Sequence, residues 1–119
     1  MILLSNILVL LVAALHFYFL ILEMFFWTKP LGLRVFGQTA KEAKASAVLA
    51  ANQGLYNGFL AAGLVWGVVT TGRPVEIFFL SCVIVAGIFG GFTAKRSILV
   101  IQALPGLLAL ASVLFLAFR

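Results

Sequence analysis

Few residues in this 119-residue chain could do chemistry, and they are concentrated. His16 and Glu23 lie seven positions apart, so on a helix both point the same way. An imidazole and a carboxyl so placed could hold and move a proton. Asn52, Gln53, Tyr56 and Asn57 set three carboxamides and a phenol in the middle of a long apolar run. Such groups can orient the polar atoms of a bound molecule or hydrogen-bond between helices. Gln102 adds one more carboxamide. No nucleophile motif, metal-ligand triad or phosphate loop accompanies them, so neither a metal nor a cofactor is expected. Cys82 is the only cysteine, which excludes an intramolecular disulfide and a thiolate cluster.

The elements that must position these groups follow from composition. Hydrophobic residues make up 65% of the chain and charged residues 9%. A water-soluble domain of this size could not bury that much apolar surface, so the expected fold is an all-α integral membrane protein. The apolar runs predict one membrane domain over residues 1–119, with helices near 2–28, 40–70, 74–93 and 97–118. These form a four-transmembrane-helix bundle of two antiparallel hairpins. Lys29-Pro30 is expected to stop the first helix, with Trp27 at the interface and a loop to Gln38. Thr39 and Glu42 have capping-box spacing at the start of the second helix. Glu76 suits the N-terminal dipole of the third, and Ser97 can cap the fourth. Within the fourth, Pro105-Gly106 predicts a kink that frees the Ile101 carbonyl.

The net charge of +5 does not indicate nucleic acid, because the basic residues fall between apolar runs rather than on one face. Lys29, Arg34, Lys41, Lys44, Lys95 and Arg96 lie in the odd-numbered loops or beside them, against only Arg73 and Arg119 on the other side. Six against two places those loops in the cytoplasm and both termini outside.

On a wheel of about 100° per residue, Asn52, Gln53, Tyr56 and Asn57 fill one arc of the second helix. A small-residue stripe containing Gly54 and Gly58 adjoins it, and Val48, Leu55, Phe59 and Trp66 form a bulky lipid face. Gly54-x-x-x-Gly58 is a close-packing spacing, and Gly87-x-x-x-Gly91 on the third helix offers a matching surface. The polar arc is therefore expected to face inward. Counted from the basic markers, Glu23 and Gln102 lie about 9 Å inside the membrane and Gln53 about 13 Å, with His16 and Asn57 near its centre. Three helices would then line one polar half-cavity. A bland reading accompanies each residue: carboxamides as interhelical glue, His16 as a satisfied core imidazole, Gln102 as a structural bond. Glu23 resists it, because a carboxyl at that depth without Lys or Arg beside it is either neutral or functional.

The segment Ala-Asn-Gln-Gly-Leu-Tyr-Asn-Gly-Phe-Leu-Ala-Ala-Gly (residues 51–63), with the helix carrying His16 and Glu23, resembles the family known as domain of unknown function 1304. The resemblance covers essentially the whole chain. It implies a small four-helix bacterial membrane protein and brings no activity, substrate or cofactor with it. The residues themselves support three functions. One is a pocket for a small lipophilic or amphipathic molecule in the bacterial plasma membrane, with acid/base chemistry by Glu23 and His16 as an extension. A second is a structural or assembly module acting through its glycine faces. The third is a proton-coupled efflux carrier resembling the small multidrug-resistance transporters, against which the charge bias and the missing motifs count. A pore would require several copies, so a homo-oligomer stays open. The expected partners are membrane lipid and a small lipophilic ligand, with no nucleic acid.

Overall fold

A computed structural model describes residues 1–119. The chain is helical throughout, with α1 (Ile2–Phe25), α2 (Pro30–Phe36), α3 (Ala40–Val69), α4 (Arg73–Thr93) and α5 (Leu104–Ala117), and it contains no strand. A π-helical turn, Leu99–Ala103, leads into α5. Three segments are long and apolar enough to cross a membrane: Ile2–Phe25, Arg73–Thr93 and Leu99–Ala117. The 30-residue α3 is longer than any of them but is not among the three. Lys41, Glu42, Lys44 and the carboxamides of its middle dilute its apolar run.

Several local expectations change. The first helix ends at Phe25, and Pro30 starts a helix instead of a loop, because in a first turn its missing N–H costs nothing. Gly37 closes α2 at φ 63°, a left-handed conformation suited to glycine. The Thr39–Glu42 capping box forms as expected: the Glu42 amide donates to Thr39 Oγ1 at 3.1 Å and the Thr39 amide to Glu42 Oε2 at 3.2 Å. The turn before the last membrane segment is closed by backbone bonds, Ile98 to the Lys95 carbonyl and Leu99 to the Arg96 carbonyl, rather than by the Ser97 hydroxyl. Pro105 stands in the first turn of α5, just after the π-helical turn. The wider winding of that turn gives the Leu104 amide the Leu99 carbonyl as its acceptor.

Two compact units can be described separately. In the first, Met1–Ala14 with Leu60–Arg119, a hydrophobic cluster forms the core: Val9, Val12 and Ala13 of α1, Leu64 of α3, Leu80 and Val83 of α4, and Ala109 and Val113 of α5. Close approach there depends on Gly87, where a Cβ would lie 2.9 Å from the Ala103 amide nitrogen. Gln102 Nε2 donates to the Val83 carbonyl of α4 at 3.0 Å, and Ser112 donates to Ser5 Oγ at 3.1 Å. The second unit, Leu15–Phe59, holds the end of α1, all of α2 and the first two-thirds of α3. Its turn is tied by Trp27 Nε1, which donates to Ser46 Oγ at 3.1 Å while the indole packs on Phe36. Trp27 is thus a half-buried anchor as well as a marker of the helix end.

Candidate functional site

The site belongs to the Leu15–Phe59 unit. Along α1 the buried positions Ser5, Val9, Val12, His16 and Glu23 follow the three-and-four spacing of one helix face. That pattern turns Glu23 inward although it is ionisable. Opposite it, α3 presents Gly54, whose missing side chain admits α1: a Cβ there would lie 2.7 Å from Met24 Cγ and 3.1 Å from Glu23 Cβ. Three residues further along α3, Asn57 is buried and its Nδ2 donates to Glu23 Oε1 at 2.6 Å. A short bond of this kind, amide to carboxyl across two helices, holds the acid in one orientation. The second oxygen, Oε2, has no hydrogen bond from the protein and is not among the sealed polar atoms, Glu23 being 8% exposed.

The other expected groups are not all brought here. His16 is fully buried and meets Phe19 edge-on, with ring centroids 5.7 Å apart. Seven residues of helix separate it from Glu23, about 10 Å along the axis, too far for a direct proton exchange. Asn52, Gln53 and Tyr56 are exposed, so the inward direction of α3 is the small-residue stripe with Asn57 at its edge, not the centre of the polar arc. The stripe wins because carboxamides in the contact would hold the helices apart, whereas Gly54 lets them close. Gln53 lies one turn before Asn57 and only about 40° from it around the helix. Tyr56 makes an edge-to-face pair with Phe59, at 5.8 Å between centroids. Val48, Leu55, Phe59 and Trp66 are exposed, as the lipid-face assignment expects.

The two glycine pairs do not match each other. Gly54 and Gly58 pack against Leu20, Glu23 and Met24 of α1, whereas Gly87 and Gly91 of α4 face Ala103 and Leu99 of the π-helical turn. Gln102 belongs to that second contact, bonded to the Val83 carbonyl rather than near Ile101. Glu76, expected only to suit a helix N-terminus, is a polar group whose burial the sequence does not signal. Glu76 is fully buried at the start of α4, its Oε2 2.9 Å from Arg73 Nη1. The Arg73-x-x-Glu76 spacing allows that pair. The signal for burial is Gly67, where a Cβ would lie 2.7 Å from Glu76 Cγ, and this appears only once α3 and α4 are packed. No group of three or more His, Cys, Asp or Glu side chains is placed to hold a metal ion.

Comparison with known proteins gives a family but no activity. The family model described as "Protein of unknown function (DUF1304)" matches residues 10–114. A relative from Lactococcus lactis subsp. lactis (strain IL1403), the "Uncharacterized protein YpaA", is 34% identical over 119 residues, covering 97% of this chain and 100% of the relative. No solved structure matches. With the family model spanning α1 to α5 and a full-length relative at that identity, the chain belongs to the DUF1304 family.

Proposed function

We propose that this protein binds a small lipophilic or amphipathic molecule inside the bacterial plasma membrane, at Glu23 and Asn57, with Gln53 at the entrance. On this reading α1, α3, α4 and Leu99–Ala117 each cross the bilayer, and the basic bias of the odd-numbered loops places both termini outside the cytoplasm. The observation that carries the reading is the state of the Glu23 carboxyl. Asn57 Nδ2 fixes one oxygen at 2.6 Å, while the other receives no bond from the protein and opens to the surroundings. In a bilayer no water is at hand to complete it, and a half-satisfied polar group there is costly. A ligand with a hydroxyl or amine head would donate to Oε2, and its chain would lie among the apolar side chains. Proton transfer at Glu23 is an extension of this binding.

Native mass spectrometry from lipid nanodiscs tests the reading. Wild type should carry a small-molecule adduct that Glu23→Gln and Asn57→Leu both lose. Identical spectra for all three proteins would leave the site a structural tie between α1 and α3. The close packing of Gly54 on Glu23 and Met24 would favour that second reading.

A further inference from the structure

The face of α3 that points away from the protein is not a plain lipid face. Ala43, Ala50, Gly54 and Asn57 are buried, and around the helix their mean direction lies about 170° from Asn52. Asn52 therefore points almost directly outward. It stands in a run of exposed residues, Ala45, Leu49, Asn52, Tyr56 and Phe59, whose successive spacings are four, three, four and three. Leu49, Tyr56 and Phe59 are 76%, 55% and 54% exposed. That spacing is the seam by which two helices pack at a shallow left-handed crossing, and a lone carboxamide within such a seam fixes register and copy number.

Depth decides why a partner is needed. Resting on the reading above that α3 crosses the membrane, Asn52 lies eight residues beyond Lys44, about 12 Å past the basic marker and within hydrocarbon. An outward carboxamide there has neither water nor a protein group to bond. A hydrocarbon tail cannot supply one, but another carboxamide can, as donor and acceptor at once.

We propose that two copies of this chain pair through α3 in parallel, with Asn52 hydrogen-bonded to the partner's Asn52. Orientation makes the pairing self-consistent. The six-to-two distribution of Lys and Arg inserts every copy the same way, so the twofold axis must run along the membrane normal. Such an axis sets each α3 residue of the seam opposite its own counterpart. Asn52 then meets Asn52, and the Tyr56 and Phe59 rings pack one and two turns deeper. The Glu23 opening lies on a different side of α3 and stays free in the dimer.

Cysteine cross-linking in native membranes tests this, in a Cys82→Ala background. Leu49→Cys, Asn52→Cys and Tyr56→Cys should each form disulfide-linked dimers on mild oxidation. Val85→Cys, 68% exposed on α4, should not. With the sulfhydryls left out, Asn52→Ala should weaken dimerisation about three- to tenfold by fluorescence energy transfer in vesicles, the range expected for polar bonds between membrane helices. Gln38→Cys and Thr71→Cys, probed with a membrane-impermeant maleimide, report separately whether α3 crosses. Labelling of the two from opposite sides with no seam cross-link, or with equal cross-linking at Val85, overturns the dimer and leaves the crossing intact. Labelling from the same side overturns the crossing and the dimer together.

Discussion

Gly87 and Gly90 lie three residues apart on α4, yet the same substitution should act on them in opposite directions. At Gly87 an added methyl would lie 2.9 Å from the Ala103 amide nitrogen and 3.1 Å from both Ala103 Cα and Cβ. These are mostly backbone atoms, which cannot swing aside, so Gly87→Ala must push the π-helical turn off α4. The move also strains the bond from Gln102 to the Val83 carbonyl, one turn away. Overpacking of this kind costs about 1–3 kcal/mol, against which a helical Gly-to-Ala change returns about 0.5–1 kcal/mol. The expected net effect is a loss of about 1–2 kcal/mol. At Gly90 the nearest atoms are the Ile98 Cδ1 and Cγ2 methyls, both at 3.5 Å, which is ordinary contact. Gly90→Ala should be neutral or stabilise by up to about 1 kcal/mol. Reversible unfolding in mixed micelles, followed by circular dichroism, measures both. Equal effects at the two positions, or a neutral Gly87→Ala, would refute the close approach of α4 to Ala103.

Two further expectations concern single contacts. Arg73→Met strands the buried Glu76 carboxylate and should destabilise by about 2 kcal/mol in the same unfolding assay, with part of the loss recovered when Glu76→Gln is added. Gly54→Leu should cost more than about 2 kcal/mol because it collides with Glu23 and Met24, whereas Leu55→Met, exposed and outside the Asn52 seam, should stay within about 0.5 kcal/mol. The reverse ranking would mean that the faces of α3 are misassigned.

The parts of this molecule that the sequence makes legible are those with a local cause. The Thr39–Glu42 capping box, the limits of α3 and the bulky exposed face all follow from spacing within one helix, and each is found. Glu23 and Asn57 each stand out by residue type and depth, and they meet. What spacing could not supply was which direction around α3 is inward. The polar arc and the glycine stripe adjoin, and either could face α1. Backbone approach at Gly54 settles it, leaving Asn52, Gln53 and Tyr56 outside. Gly87 has the same difficulty: GxxxG spacing marks a surface for close packing without naming the partner, which is the turn at Ala103 rather than α3. Pro30 follows an apolar run and so reads as a stop, yet proline begins helices as readily as it ends them.

The central claim is that Glu23 presents an open carboxyl oxygen to a molecule within the membrane. The most direct measurement is reaction with dicyclohexylcarbodiimide, a lipophilic reagent for carboxylic acids, in membranes and with intact-protein and peptide mass spectrometry as the readout. Glu23 should be modified while the sealed Glu76 is not. The adduct should be absent from Glu23→Gln, and dodecylamine should slow its formation by occupying Oε2. An unreactive Glu23, or a rate that dodecylamine leaves unchanged, would contradict the binding site.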